Sequence, residues 1–313
     1  ELLRFFDEAT EEARGHGVLI DKYIHASEVE VDVVSDGVDS YIPVILEHIE
    51  RAGVHSGDSI AQIPPRTIPG AAKAKIVEYT NALCRALPIR GIANIQYIVD
   101  GDTVYCLEVN PRASRTVPFV TKVTGFPIIR VATGLSLGRS LKSYGPYSGC
   151  GPEPHVCAVK MPVFSWSKMR VDPVVGPEMK STGEVMGIGS DLEEALQKSF
   201  LSLGVSRLGP GSGVLLTIAD RDKPSCLDTA RGLASAGWRL YATKGTARYL
   251  VEAGVEVQVV RKLSEAGDGS GECPPSIPDV IAGGQVQVVI NTFTKGGSEE
   301  TDGFKIRSLA IGR

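Results

Sequence analysis

Polar and apolar positions alternate over residues 28–34, EVEVDVV, a period of two that predicts a half-buried strand. Asp36-Gly37 marks a turn, and SYIPVILEHI resumes extended structure. Residues 17–24, GVLIDKYI, predict a further strand. A helical period predicts helices over 1–14 and over 70–87, where Ile76, Tyr79, Leu83 and Leu87 recur at helical spacing. Residues 92–99 and 103–109 predict two strands joined around Asp100-Gly101-Asp102, a hairpin signal. The first part of the chain therefore predicts antiparallel sheet plus helices, an α+β pattern.

Residues 137–155 are rich in Gly, Ser and Pro and read as a connection. Residues 156–205 predict a short α/β stretch ending in the helix DLEEALQKSFLSLG, and LGPGSG reads as a domain linker. From residue 213 strands and helices alternate: GVLLTIA, helix 224–236, WRLYAT, helix 246–253, VEVQVVRK, helix 277–282 and VQVVINT. That rhythm predicts a parallel, doubly wound sheet. The loop EAGDGSGECPPS reads as a mobile connection, and FKIRSLAIGR as a helix cut short.

Composition narrows the classes. A chain of 313 residues has room for two domains. Its 42% hydrophobic and 22% charged residues are those of a globular chain with a real core. A net charge of −4 supplies no basic field, which excludes the nucleic-acid-binding classes. No apolar run approaches the ~20 residues of a membrane helix. The chain does not begin with Met, and ELLRFFDEAT reads as an amphipathic helix rather than a signal peptide, so both ends read as truncations. Six scattered cysteines without a CxxC pair argue against a zinc site or a disulfide framework and fit a reduced cytoplasm.

Candidate chemistry concentrates in IANIQYIVDGDTVYCLEVNPRASR. Glu108 and Asn110 lie two apart on one strand and share a face. The face of Gln96 depends on the turn. If Ile98 pairs with Val104, Gln96, Glu108 and Asn110 converge; a two-residue turn at Asp100-Gly101 would put Gln96 on the other face. Mg²⁺ takes oxygen ligands, usually one or two carboxylates with phosphates and water, so the chemistry requires the first register. Arg112 and Arg115 follow at once and can hold phosphate or carboxylate oxygens in a bidentate fork. Metal and arginines together suit phosphoryl transfer, where positioning and charge stabilisation supply most of the catalysis.

The string EVNPRASRTVPFVTKVTG resembles the signature of the carbamoyl phosphate synthetase large-subunit family. SEVEVD, EHIERAGVHSGDS and GPEMKSTGEVMG resemble three further stretches of that family, in its order. The resemblance implies an N-terminally truncated ATP-grasp C-terminal lobe over 1–207, which phosphorylates carbamate, and a C-terminally truncated methylglyoxal-synthase-like regulatory domain over 208–313. It implies that Gln96, Glu108 and Asn110 hold the Mg²⁺ or Mn²⁺ of the bound ATP, with K⁺ as a further candidate ion. It implies contacts from Arg112 and Arg115 to the phosphates and the carbamate. Glu28 would accept from the ribose hydroxyls, Lys22 and Ile24 would offer backbone groups to adenine, and the loop Gly53-Val54-His55-Ser56 would approach the nucleotide. A Gly, a small hydroxyl and an imidazole let backbone come close to an anion. His16, His25, His48 and His155 read as structural or exposed.

The resemblance also implies partners: the remaining large-subunit segments, and a glutaminase subunit or domain that supplies ammonia. Pyrimidine and arginine biosynthesis in the cytoplasm are the processes implied. The chain alone is expected to be inactive, because earlier nucleotide-binding residues of the family precede residue 1.

In the second domain, Lys223, Thr243, Thr246, Lys262, Asn291 and Thr292 follow or end predicted strands, where open parallel sheets bind ligands. Two threonines at a helix N-terminus beside lysines suit an anion, although an ordinary N-cap explains Thr243 or Thr246 equally well. The family resemblance implies a regulatory nucleotide here, of the UMP, IMP or UTP class. GDGSGECPPS lacks the aspartate motif of a catalytic methylglyoxal synthase. An ornithine-type effector would use Glu50, Asp58 and Glu178. The rival readings are another ATP-grasp ligase, a free nucleotide-sensing protein and methylglyoxal synthase.

Overall fold

The computed structural model describes residues 2–13, 15–169, 171–205, 208–263, 265, 274–292 and 301–311. The chain divides into two compact units, Glu1–Met161 with Ile188–Ala195, and Pro162–Gly187 with Leu196–Arg313. The mobile connection read at EAGDGSGECPPS lies mostly outside the described residues.

The first unit carries helix α1 (Leu2–Glu12) and strands β1 (Ser27–Asp36), β2 (Ser40–Ile42), β3 (Ile45–Arg51) and β4 (Ala61–Ile63). Helix α2 (Gly70–Ala86) leads to the hairpin β5 (Arg90–Asp100) and β6 (Thr103–Asn110). Helices α3 (Thr116–Thr124) and α4 (Ile128–Ser136) follow, then β7 (Gly149–Cys150) and β8 (Cys157–Val163). The main sheet runs β6-β5-β1-β3-β4-β8, and its neighbours are antiparallel. Val29, Val31 and Val33 of β1 pack with Ile95 and Tyr97 of β5 and with Ala72 and Ile76 of α2, forming the core of this unit. Buried Tyr97 keeps its hydroxyl satisfied through Thr80 Oγ1, 2.8 Å away.

Three expectations need correction here. β1 is not half-buried: its alternate face is buried too, with Glu28 and Glu30 each 2% exposed and Asp32 1%. Asn94 of β5 donates to Glu30 and Asp32, and Ser114 and Thr116 donate to Asp32, so polar groups of the protein lie against this buried face. Residues 17–24 form no strand: a strand needs a ladder partner, this segment has none, and Leu19 and Tyr23 stay 84% and 66% exposed. The β5–β6 turn is a two-residue turn at Gly101-Asp102, with Gly101 at φ 58°. Ile98 accordingly pairs with Tyr105, not Val104. The ladder then shifts between Tyr97, opposite Cys106, and Gln96, opposite Glu108, leaving Leu107 as the extra residue of a β-bulge.

Strand β9 (Gly183–Gly189) and helix α5 (Leu192–Ser202) lie across the boundaries of the two units. The second unit carries β10 (Gly213–Thr217), α6 (Lys223–Ser235), β11 (Arg239–Thr243), α7 (Lys244–Glu252), β12 (Gln258–Val260), α8 (Ile277–Ala282), β13 (Val288–Asn291) and α9 (Asp302–Ile311). Its four strands are parallel, in the order β12-β11-β10-β13. Val214 and Leu216 of β10 pack with Ala230 of α6 and with Ala247 and Leu250 of α7. Leu215, on the opposite face, packs with Ile277 and Val280 of α8 and Ile306 of α9. Helices on both faces make the sheet doubly wound, with both faces of β10 apolar as that layering demands.

Candidate functional site

The buried polar face of the first sheet is organised in rungs. Glu30, Gln96 and Glu108 stand opposite one another on β1, β5 and β6, and Asp32, Asn94 and Asn110 form the next rung. Opposed residues of antiparallel strands share a face, so the bulge at Leu107 achieves what the expected Ile98–Val104 pairing was to have done. Gln96, Glu108 and Asn110 therefore face the same way.

Hydrogen bonds orient the amides. Asn94 Nδ2 donates to Glu30 Oε2 and to Asp32 Oδ1, each at 3.1 Å. Its oxygen is left to accept from Gln96 Nε2 at 3.4 Å, and Gln96 Nε2 also donates to Ser56 Oγ at 3.0 Å. The Gln96 nitrogen is thus committed, and its oxygen is the end available to a cation. Asn110 Nδ2 donates to Glu108 Oε1 at 2.8 Å, which likewise leaves oxygens outward on both side chains. Glu108 is exposed and Asn110 half-buried. One carboxylate and two amide oxygens fit Mg²⁺ or Mn²⁺ completed by phosphate and water, and do not make an all-protein cage. Among the described residues no cluster of three His, Cys, Asp or Glu could hold a metal by itself.

The loop after β3 docks on this face. His55 precedes the short turn Ser56–Asp58 and caps it, its Nδ1 accepting from Gly57 N at 3.0 Å; this places the ring proton on Nε2, which points away from the turn. Gly53 has φ 106°, and a Cβ there would stand 3.0 Å from the Tyr23 ring. Tyr23 itself donates its hydroxyl to Ala52 O at 2.7 Å, which holds the 17–26 segment against the loop. Within that segment Lys22 is exposed and Ile24 half-buried; Ile24 packs on Ala26, Ala52 and Ile98. Arg112 and Arg115 are both exposed just beyond β6, Arg115 at the N-cap of α3.

Four residues that sequence reasoning did not single out complete the face. His48 lies between two carboxylates, Nδ1 3.5 Å from Glu28 Oε1 and Nε2 3.3 Å from Glu30 Oε1. Lys160 of β8, 1% exposed, donates to Ser56 O at 2.9 Å. Glu30 and Asp32 are the other two. The signal was present in EVEVD, which sets three acids on one face; their burial was not legible. Burial pushes the Glu28 carboxyl up to about 7, with Glu30 and Glu108 adding to the rise against His48 and Lys160. Burial also pushes Asp32 up to about 6, aided by Glu30 and opposed by Ser114, Thr116 and Asn94. In Glu30 burial is outweighed by His48, Lys160 and Asn94, and its carboxyl is held below the usual range.

Of the ornithine-type candidates, Glu50 Oε2 accepts from Ile60 N at 2.7 Å and Asp58 is buried at 1% exposure. Glu178 belongs to the other unit and is exposed.

In the second unit a cavity of about 130 Å³ opens at the C-terminal ends of the strands, lined among others by Thr217, Thr243, Lys262, Asn291, Thr292 and Asp302. Lys223 and Thr246 do not line it. Lys223 Nζ donates to Gly245 O at 2.9 Å and pairs with Asp220 at 2.5 Å. Thr246 Oγ1 closes on the Ile218 backbone, accepting from N at 3.2 Å and donating to O at 3.3 Å. Arg307 of α9, unnoticed in the sequence, donates to Asn291 Oδ1 at 2.9 Å and to Asp172 Oδ1 at 2.8 Å.

A model of the family described as carbamoyl-phosphate synthase L chain, ATP binding domain, matches residues 1–144, and one described as MGS-like domain matches residues 225–312. The carbamoyl phosphate synthase large chain of Clostridium botulinum (strain Loch Maree / Type A3) is 46% identical over 314 residues, an alignment covering 100% of this chain and 29% of that protein. Among solved structures, the biotin carboxylase domain of a single-chain bacterial carboxylase matches with 19% identity and a TM-score of 0.41, covering 51% of this chain and 37% of that one. The K. lactis urea amidolyase matches with 17% identity and a TM-score of 0.44, covering 61% and 13%. Both are too distant to bear on function. The fold is that of an ATP-grasp C-terminal lobe followed by a methylglyoxal-synthase-like domain. With two domain families matched in order and 46% identity along its whole length, the chain belongs to the carbamoyl phosphate synthase large-chain family and spans 29% of the length of the curated relative it matches.

Proposed function

We propose that the protein acts as part of a carbamoyl phosphate synthase large chain and phosphorylates carbamate with ATP, giving carbamoyl phosphate and ADP. The observation that carries this reading is the convergence of Gln96, Glu108 and Asn110 opposite Ser56, with Arg112 and Arg115 directly after β6. A carbamate oxygen forms a bond to the γ-phosphorus of ATP, and the bond from that phosphorus to the β,γ-bridging oxygen breaks, the electron pair leaving with ADP. Residues 1–207 hold the ATP and carbamate, and residues 208–313 sense a nucleotide.

Gln96, Glu108 and Asn110 would hold Mg²⁺ or Mn²⁺, with K⁺ a further candidate; a bound divalent cation supplies neutralisation of phosphate charge. Arg112 and Arg115 orient the transferring phosphoryl group and its acceptor by bidentate hydrogen bonds. The His55 loop brings backbone N–H groups and the Nε2 proton to the phosphates. Glu28 receives the ribose hydroxyls, and the backbone of Lys22 and Ile24 meets adenine. Carbamate arrives from the remaining large-chain segments, ammonia from a glutaminase subunit or domain, and the product feeds pyrimidine and arginine biosynthesis in the cytoplasm. The isolated chain is inactive on this reading.

The second unit favours a nucleotide of the UMP, IMP or UTP class. Thr243, Lys262, Asn291 and Thr292 line one cavity; Thr246 bonds the backbone of Ile218, which also lines it, and Lys223 bonds Gly245 O and Asp220. Glu50, Asp58 and Glu178 remain the candidates for an ornithine-type effector. The test is ATP formation from carbamoyl phosphate and MgADP by the full-length protein without biotin. Activity supports the reading, and a strict biotin requirement would transfer the chain to a biotin-dependent carboxylase.

A further inference from the structure

Asp32 lies in the middle of β1 with 1% of its surface exposed. Its Oδ1 accepts from Ser114 Oγ at 2.6 Å and from Asn94 Nδ2 at 3.1 Å. Its Oδ2 accepts from Thr116 Oγ1 at 2.7 Å. Ser114 and Thr116 stand 2.7 Å apart, hydroxyl to hydroxyl, and they are the two residues flanking Arg115. A buried carboxylate is tolerated only where donors satisfy it. Here two of the three donors come from the turn that delivers an arginine to the phosphate side of the sheet. Both hydroxyls meet the sheet at Asp32.

The third donor matters as much. Because Asp32 and Glu30 take both hydrogen-bonding directions of the Asn94 amide nitrogen, the Asn94 oxygen must turn to Gln96. That fixes the Gln96 nitrogen inward and its oxygen outward. An acidic residue on the rung of Asn94 and Asn110 therefore sets the direction of two groups at the site.

We propose that Asp32 is a positioning residue for phosphoryl transfer: it clamps the Arg112–Arg115 loop through Ser114 and Thr116 and orients Gln96 through Asn94. The role rests on the carbamate-phosphorylating reading given above. A side chain that only stabilised the fold would alter the amount of folded enzyme and leave the kinetics of the folded fraction alone. A clamp on Arg115 changes kcat and largely spares nucleotide affinity, because adenine and ribose are held elsewhere.

The experiment uses the full-length protein, with ATP formation from carbamoyl phosphate and MgADP as one readout and amide hydrogen exchange of residues 112–116 as the other. Asp32→Asn is expected to lower kcat by about ten- to a hundredfold with KM for MgADP within about threefold. Thr116→Val is expected to lower kcat about tenfold, Thr116→Ser to recover most of that loss, and Thr116→Val added to Asp32→Asn to cost less than about threefold more. Exchange of the loop amides is expected to rise about tenfold in Asp32→Asn, with β5 amides unchanged. Independent, multiplicative losses, an unchanged kcat or an effect on KM alone would overturn the proposal. If Asp32→Asn does not fold, the Thr116 pair carries the same prediction, and equal kcat in Thr116→Val and Thr116→Ser overturns it. A wild-type protein that makes no ATP would remove the functional reading; the exchange result then decides the clamp, and unchanged loop exchange refutes it.

Discussion

Gln96 stands directly opposite Glu108 across β5 and β6 although the turn joining these strands sets the other parity, and one extra residue, Leu107, reconciles the two. A one-residue shift would move Glu108 and Asn110 to the wrong face of the sheet. Leu107 is 52% exposed, so its side chain is not what the fold requires of it.

Deleting residues here separates register from composition. Removal of Leu107 leaves Glu108 next to Cys106 and still opposite Gln96, and MgADP affinity of the full-length protein is expected to stay within about tenfold of wild type. Removal of Val109 sends Asn110 to the opposite face, and binding is expected to fall by more than that, about a hundredfold. Isothermal titration on both variants checks the contrast.

Asp32 makes stability depend on pH with a definite sign. Burial raises its carboxyl in the folded protein to about 6, above the ordinary value of about 4. Between those values the folded state holds a proton that the unfolded state has released. Stability contributed by this group therefore falls as pH rises from about 4 to about 6, with a slope of up to about 1.4 kcal/mol per pH unit, and levels off above. Asp32→Asn is expected to remove that component, measured as a flatter plot of urea-unfolding free energy over the same window.

Two residues of the second unit are expected to part company. Lys262 lines the cavity at the strand ends, so Lys262→Ala is expected to weaken nucleotide regulation of the full-length enzyme about tenfold, the loss of a charge-assisted hydrogen bond. Thr246 is 2% exposed and bonded to the Ile218 backbone, so Thr246→Val is expected to cost about 1–3 kcal/mol of stability with little change in nucleotide response. Effector titrations alongside thermal unfolding test both.

The elements carried by strong local pattern were legible. The β–α alternation from residue 213 emerged as four parallel strands wrapped on both faces, and α8 over Ile277–Ala282 matches its expected bounds, fixed by a capping box of Ser276 and Asp279. Residues 17–24 were over-read because β-propensity expresses itself only when a neighbouring strand supplies a ladder. Three acids alternating with valines read as a solvated face, since nothing local says that Lys160, more than a hundred residues later, closes over it. For the same reason His48 passed as a bystander. The bulge was invisible because register is decided by packing across the hairpin and not by the turn alone. Pattern singled out Gln96, Glu108 and Asn110; tertiary contacts decided which atoms they present.

The central claim is that Glu108 is the charged member of a cation site used to transfer a phosphoryl group between carbamate and ADP. Glu108 is exposed and shares one oxygen with Asn110, so Glu108→Gln is expected to fold normally. The decisive measurement is ATP formation from carbamoyl phosphate and MgADP by the full-length protein, wild type against Glu108→Gln, across a Mg²⁺ titration. The account predicts a loss of at least about a hundredfold at low Mg²⁺ with the unfolding midpoint unchanged. Near-wild-type turnover of the variant at low Mg²⁺ would contradict it.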